Sequence, residues 1–278
     1  MARGVARETA PTRCSFPGGV LRWSNVRTPY LRTVALAVAL LTALGLYFLD
    51  PFSWDPSSEL TSLDSNKPDP LSVLFIGNSF TSTGPLPAVF GRLVRAGNAG
   101  RGLKVRMVAS PGVRLVDLEK SAGEAISGNG PWTHVVLQDQ SRIAWTDADT
   151  MRLGIEHINA HVHAARAETV LLMTWADASE TPRDQDVIAA AYTKIGHELD
   201  ASVAPVGRAW SWALIRPRLY QPDGHHPSGL GVYLTACVVY CTVLRKSPVG
   251  LPYTSHGPRP SEQDLRSLQE LAVYASGI

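Results

Sequence analysis

Apolar runs alternate with helical patterns along the chain after residue 70. The runs that have the length and near-continuous apolar character of buried strands are LSVLFIG (71–77), LKVRMVA (103–109), HVVLQ (134–138), TVLLMTW (169–175) and a weaker ASVAPVG (201–207). Patterns with an apolar face predict helices near Pro87–Ala96, Leu115–Ser127, Asp147–Ala167, Asp184–Leu199 and Gly229–Leu244, and a last helix that begins at Ser261. Strands that alternate with helices predict an α/β fold: a five-stranded parallel sheet covered by helices on both faces, in three α/β/α layers.

The most continuous apolar stretch lies before this pattern. No charged residue interrupts the 17 positions of Thr33–Leu49, a length at the short end of what crosses a bilayer as a helix. Arg22, Arg27 and Arg32 precede it and Asp50 closes it, so the positive-inside rule predicts a cytoplasmic N-terminus. A cleavable signal peptide is the competing interpretation, but the long N-terminal segment and the residues after the run favour an uncleaved anchor.

The sequence therefore predicts four parts. Residues 1–32 form a basic cytoplasmic segment, 33–49 a transmembrane anchor, and 50–70 a linker that contains four prolines. Residues 71–278 form the folded domain, which lies on the outer side of a cytoplasmic membrane in this topology.

Composition and charge exclude several classes of protein. An apolar content of 45% over 278 residues is ordinary for a folded protein. The net charge of +2 comes from the first 50 residues, so the domain gives no sign of nucleic-acid binding. Cys237 and Cys241, four apart in a predicted helix, are expected to be packed thiols rather than a disulfide. No metal-binding or nucleotide-binding motif is present, so we expect no cofactor.

Polar segments follow three of the predicted strands, and another lies in the long connection before the Gly229–Leu244 helix. They are Ser79, Gly112, QDQS (138–141) and DGHH (223–226). In an open parallel sheet, ligands bind beyond the carboxyl ends of the strands, and long connections are usually functional. These segments are therefore the candidates for a catalytic or ligand-binding site.

Ser79 becomes a nucleophile only if a base accepts its proton and a third group orients that base. Asp223 and His226 lie three residues apart at a turn, which lets the carboxylate accept from one ring nitrogen while the other faces outward. His225 is the alternative base, but its spacing from Asp223 suits this arrangement less well. Ser79, Asp223 and His226 are the predicted catalytic residues.

Acyl transfer also needs hydrogen-bond donors for the oxyanion. The candidates are the backbone N–H groups of Ser79 and Gly112 and the side-chain amide of Gln138 or Gln140. Spacing alone does not rank the two glutamines.

The blocks FIGNSFT, Gly112 and PDGHHPS resemble the SGNH hydrolases, the GDSL-type esterase superfamily, over residues Leu71 to Ile278. The resemblance implies an SGNH, flavodoxin-like fold. Asn78 stands where that family has an aspartate before the serine, and LQDQS stands where it has an asparagine after the third strand. Aligning the latter block points to Gln140 as the substitute for the asparagine.

The resemblance implies an esterase that forms an acyl-enzyme on Ser79 without a metal or cofactor. O-acetylated carbohydrate is the expected substrate, and Trp175, Trp210 and Trp212 are candidates for lining a sugar cleft, although core packing is expected for at least two of them. The alternatives are an acyltransferase with the same residues, a lipid or thioester hydrolase, and an inactive glycan-binding domain. The oligomeric state is left open.

Overall fold

A computed structural model describes residues 70–97 and 102–278. Its five parallel strands form one sheet in the order β2-β1-β3-β4-β5. The strands are β1 (Leu71–Gly77), β2 (Leu103–Ala109), β3 (His134–Leu137), β4 (Glu168–Leu172) and β5 (Ser202–Ala204). The predicted five-stranded parallel sheet is confirmed.

The helices of the described residues are α1 (Ser79–Ser82), α2 (Leu86–Gly97), α3 (Leu115–Gly128), α4 (Ile143–Thr146), α5 (Ala148–Ala164), α6 (Pro182–Glu198), α7 (Val206–Trp212), α8 (Gly229–Leu244) and α9 (Glu262–Ser276), with a 3-10 helix at Arg216–Leu219. The bounds of α8 match the predicted ones, and Ser261 caps α9 by accepting a hydrogen bond from the backbone N–H of Asp264. The short helices α1, α4 and α7 were not predicted, because fewer than two or three turns show no clear periodicity.

Strand β1 explains why the core has two parts. All seven of its residues are buried, and its side chains alternate between the two faces of the sheet. Val73 and Phe75 join a cluster with α2, α7, α8 and α9, whereas Leu74 and Ile76 join a cluster with α3, α5 and α6. Helices therefore cover both faces, and the predicted three-layer architecture is confirmed.

The register of the sheet places the ends of three strands at one level. Gly77 of β1 pairs with Ala109 of β2, and Ile76 pairs with Leu137 of β3. The segments that follow these strands consequently start side by side at one edge. This edge holds Ser79, Gly112 and the QDQS segment.

Strand β4 ends earlier than its apolar pattern predicts. It stops at Leu172, level with the last residue of β5, and beyond it Met173 N donates to Ala204 O and Gly207 N donates to Met173 O. Met173 and Trp175 stay buried in the loop that follows, so the apolar pattern reports burial there rather than strand pairing.

Helix α8 is buried almost throughout and carries both core cysteines. Cys237 and Cys241 are fully buried free thiols, as predicted, and burial raises the pKa of both. Within residues 70–97 and 102–278, no helix has the length and apolar content to cross a bilayer. The basic segment 1–32, the anchor 33–49 and nearly all of the linker 50–70 lie outside the described residues, so the predicted division into four parts stays a prediction.

Candidate active site

The loop that carries Ser79 joins β1 directly to α1, with Ser79 as the first helical residue. Asn78 caps this helix by accepting a hydrogen bond from Phe80 N at 3.1 Å. Gly77 has to be a glycine, because a Cβ there would lie 2.6 Å from Gln138 Oε1 and from Thr81 Oγ1. The tight turn leaves Ser79 partly exposed at the edge of the sheet.

The structure brings Ser79, His226 and Asp223 together across 147 positions of sequence. His226 Nε2 lies 3.0 Å from Ser79 Oγ, and His226 Nδ1 lies 2.7 Å from Asp223 Oδ2. When Nδ1 carries the proton and donates a hydrogen bond to the carboxylate, Nε2 is the acceptor for the serine hydroxyl. This arrangement can remove a proton from Ser79.

Asp223 is held in its ionised form. Burial opposes the charge, but hydrogen bonds from the His226 ring and from the backbone N–H groups of His225 and His226 outweigh it and lower the pKa of Asp223 to about 2. The same oxygen, Oδ1, accepts both backbone bonds, at 2.9 and 3.0 Å. Asp223 therefore fixes the backbone of the loop as well as the imidazole.

The loop that carries Asp223 and His226 is closed by its own backbone hydrogen bonds. Tyr220 and Pro227 form an isolated antiparallel bridge, and Gln221 N donates to His226 O at 2.8 Å. Gly224 makes the turn at a φ of 69°, in the left-handed region that favours glycine. The DGHH segment consequently forms a compact turn and not an extended loop.

The predicted backbone donors lie in the two neighbouring loops. Gly112 is exposed in the loop between β2 and α3, with a φ of 71°. The N–H groups of Ser79 and Gly112 have no acceptor in the part of the chain that the structure describes. Both remain available to a ligand, and their oxyanion role stays a prediction.

The two candidate glutamines differ in what their amides contact. Gln138 is fully buried, and its Nε2 donates to Asn78 Oδ1 at 2.9 Å and to Asp139 O. Gln140 accepts from Arg142 N at 2.9 Å through Oε1, and its Nε2 has no acceptor among the described residues. Both amide hydrogens of Gln138 already have acceptors. The geometry therefore favours Gln140 as the candidate side-chain donor to the oxyanion.

Asn78 and Gln138 form a reciprocal pair that ties three loops together. Asn78 N donates to Gln138 Oε1 at 3.0 Å, and Asn78 Nδ2 donates to Val113 O at 3.1 Å. An aspartate at position 78 would lack the Nδ2 group that donates to Val113 O. In the sequence, Asn78 and the LQDQS block were separate departures from the SGNH pattern, whereas in the structure Asn78 contacts Gln138 of that block.

Asp139 is a buried carboxylate that the sequence did not single out. Its Oδ1 accepts from Leu115 N at 2.8 Å and from Gln140 N at 2.7 Å, while Oδ2 has no partner in residues 70–97 and 102–278. Burial raises its pKa to about 6, although the two backbone bonds oppose the shift. Asp139 thus links the Gly112 loop to the Gln140 loop. An acidic residue directly after an apolar strand was the signal available in the sequence.

The three candidate tryptophans lie in different environments. Trp175 and Trp210 are fully buried and stacked at 4.0 Å, and Phe80 stacks on Trp175 at 4.4 Å. Trp212 is 45% exposed and packs against Tyr274 of α9. Core packing is therefore confirmed for two of them, and the stack packs against Phe80 of α1, the helix that begins with Ser79.

Comparisons with known proteins find solved structures with a similar fold. No protein-family model matches the chain, and no curated protein matches it. A proposed SGNH hydrolase from Slackia heliotrinireducens is 24% identical, with a TM-score of 0.56 over 63% of this chain and 99% of the other. A DUF4886 family protein from Bacteroides uniformis is 17% identical, with a TM-score of 0.60 over 74% and 95%. Axe2, an acetylxylan esterase from Geobacillus stearothermophilus, is 17% identical, with a TM-score of 0.53 over 67% and 97%.

Proposed function

Because the chain has the fold of the SGNH hydrolases, we propose that it is a serine esterase with Ser79, His226 and Asp223 as its catalytic residues. The observation that carries the proposal is the continuous path of hydrogen bonds from Asp223 through His226 to Ser79 Oγ, at 2.7 and 3.0 Å. A nucleophile, a base and an orienting carboxylate within these distances are what acyl transfer requires.

The reaction proceeds in two halves. Ser79 Oγ attacks the ester carbonyl carbon while His226 Nε2 accepts the hydroxyl proton, and the tetrahedral intermediate then collapses and releases the alcohol, which takes that proton. Water attacks the resulting acyl-Ser79 ester and gives a proton to His226. Release of the carboxylic acid returns the proton to Ser79 Oγ. Neither half needs a metal or a cofactor.

The oxyanion is held by the backbone N–H groups of Ser79 and Gly112 and by Gln140 Nε2. Support comes from the lack of another acceptor for these donors among the described residues. Loss of one such donor costs about 2.7–4 kcal/mol of transition-state stabilisation. The loop that presents Gly112 is held by Asn78 at Val113 O and by Asp139 at Leu115 N, which keeps the donor in place.

The proposed substrate is an O-acetylated carbohydrate, with the domain on the outer side of a cytoplasmic membrane and residues 33–49 as its anchor. Similarity to the fold of an acetylxylan esterase supports the substrate, and the charge pattern around the apolar run supports the location.

A substrate series tests this proposal. Purified protein is assayed with p-nitrophenyl acetate, butyrate, octanoate and laurate and with an acetylated xylo-oligosaccharide, with and without free sugar acceptors. The proposal predicts that acetyl esters react fastest and that free acetate is the product. A preference for long acyl chains would contradict the substrate class, and acetyl transfer to the sugar at the expense of free acetate would identify an acyltransferase.

A further inference from the structure

Beside the His226–Asp223 pair lies a second imidazole–carboxylate pair. His225 Nδ1 is 2.5 Å from Asp177 Oδ1, on the loop that follows β4. The rings of His225 and His226 lie 5.0 Å apart and almost perpendicular. Neighbouring histidines therefore have separate carboxylates, and neither competes for the other's partner.

Asp177 also connects this pair to the loop after β3. Its second oxygen, Oδ2, accepts a hydrogen bond from Arg142 at 3.2 Å, and the same guanidinium nitrogen bonds to Glu180 at 3.0 Å. Arg142 N in turn donates to Gln140 Oε1. A polar path thus runs from the proposed oxyanion donor to the loop that carries the base.

Further contacts fix His225 against the β4 loop. Ala178 N donates to Gly224 O at 2.8 Å, and Trp175 Nε1 donates to His225 O at 3.1 Å. The Phe80 ring, from the helix that begins with Ser79, lies 4.7 Å from the His225 ring. His225 is consequently held through its ring, its carbonyl and its preceding residue.

The exposure of the two carboxylates shows which pair can anchor the loop. The Asp223 side chain is 46% exposed, whereas that of Asp177 is 16% exposed. Water weakens an exposed ion pair, and a sheltered hydrogen bond between charged or polar groups keeps more of its strength. The loop therefore has its firmer side-chain attachment at His225.

We infer that the Asp177–His225 pair positions the loop that carries Asp223 and His226, so that His225 is a positioning residue for the reaction and not an alternative base. This inference rests on the proposed function. It requires that the side chain at position 225 has an N–H donor where Nδ1 of His225 lies.

The variants that test it are Asp177→Ala, His225→Ala and His225→Asn, with Asp186→Ala as a control at an exposed carboxylate that pairs with Arg208. Asp177→Ala and His225→Ala each lower kcat for p-nitrophenyl acetate by about tenfold and leave KM nearly unchanged, because they loosen the base and not the substrate contacts. The side-chain amide introduced by His225→Asn donates from close to the place of Nδ1, so this variant retains most of kcat. The double alanine variant is no slower than the slower single variant, since both substitutions remove the same Asp177–His225 contact and only Asp177→Ala also removes the bond to Arg142.

Hydrogen exchange of the backbone amides in residues 221–228 gives a readout that needs no activity. Exchange is faster in Asp177→Ala and His225→Ala than in the wild type, and is unchanged in the control and in His225→Asn, with similar unfolding midpoints for all. If Asp177→Ala does not fold, hydrogen exchange in His225→Ala and His225→Asn still tests the inference.

Three results would overturn the inference: unchanged kcat and exchange in the alanine variants, an effect confined to KM, or equal damage from His225→Asn and His225→Ala. Wild-type protein that hydrolyses no ester and is not labelled at Ser79 would refute the proposed function, and the exchange comparison would then decide the positioning role alone.

Discussion

At the scale of the residue, Ser79 owes its proposed reactivity to groups far away in the sequence. Its partner His226 approaches to 3.0 Å, and Asp223 stays ionised because its pKa is lowered to about 2. At pH values well above 2, Asp223 therefore contributes its negative charge to the orientation of His226. Loss of activity on mild acidification should not come from protonation of this carboxylate.

A substitution series tests the roles of these residues. Ser79→Ala and His226→Ala each lower kcat by about four orders of magnitude or more, because removing either one disables the same step. Asp223→Asn costs a similar or somewhat smaller factor, since it upsets the tautomer of His226. His225→Ala stays mild by comparison, at about tenfold. Steady-state kinetics on p-nitrophenyl acetate measure all four, and an inactive His225→Ala with an active His226→Ala would show that the base is His225.

Asp139 gives a prediction about stability. Its pKa is about 6 in the folded protein against an ordinary value of 3.8, so the folded state binds the proton more tightly than the unfolded chain. Its contribution is therefore fully present below about pH 4 and is lost as the pH rises through about 6. Asp139→Asn cannot ionise, so the free energy of unfolding of this variant, relative to the wild type, should rise by about 2 kcal/mol between pH 4 and 7.

Urea unfolding of both proteins at a series of pH values measures that difference. Titration of other carboxylates cancels in the comparison, so a difference that stays flat from pH 4 to 7 would show that Asp139 is not perturbed by burial.

At the scale of the element, the site depends on loops that hold one another. Asn78 and Gln138 join the loop after β1 to the loops after β2 and β3 through buried and partly buried hydrogen bonds. A helix cap, a strand end and a glycine-bearing loop are thus joined by one set of hydrogen bonds. Buried amides of this kind are costly to leave unpaired, which makes the pairing specific.

Asn78→Asp tests the pair. The new carboxylate loses the donor to Val113 O and places a charge beside that carbonyl, so the free energy of unfolding should fall by about 1–3 kcal/mol. Asn129→Asp, at an exposed helix end, is the matched control and should change stability by less than about 0.5 kcal/mol. Equal stability of Asn78→Asp and the wild type would mean that the amide donor is not required.

The strands and long helices were predictable because of how they are buried. Strands covered on both faces leave near-continuous apolar runs, which is why the β1 and β2 bounds matched the predicted ranges. The end of β4 was misplaced because Met173 and Trp175 are buried without pairing, and apolar pattern alone does not distinguish the two cases.

The candidate site was predictable in part. The place of Ser79 and the spacing of Asp223 and His226 were visible, because a strand end and a three-residue turn are local features. Contacts between loops, such as Asn78 with Gln138 and His225 with Asp177, depend on tertiary structure and leave no periodic signal. For the same reason, spacing did not rank Gln138 and Gln140.

At the scale of the whole molecule, the site lies at one edge of a sheet whose two faces are filled by separate clusters of buried side chains. The buried members of both clusters lie between Leu71 and Ala272, and the catalytic candidates lie between Ser79 and His226. We therefore expect residues 60–278 to fold and to contain the complete site.

This expectation predicts different behaviour for two versions of the protein. Residues 60–278, expressed alone, should unfold cooperatively and hydrolyse p-nitrophenyl acetate with the kcat of the full chain. The full chain should sediment with membranes and the shorter version should not, since the proposed anchor is absent from it. Full-length protein in the soluble fraction would contradict the anchor, and an unfolded shorter version would contradict the independence of the domain.

Labelling with a fluorophosphonate tests the central claim most directly, because the reagent reacts with a serine only when a base activates it. Wild-type protein should be labelled at Ser79, as shown by mass spectrometry of tryptic peptides. Ser79→Ala should give no label, and His226→Ala should be labelled far more slowly. Absence of label from folded wild-type protein, or label at another serine, would contradict the assignment of Ser79 as the nucleophile.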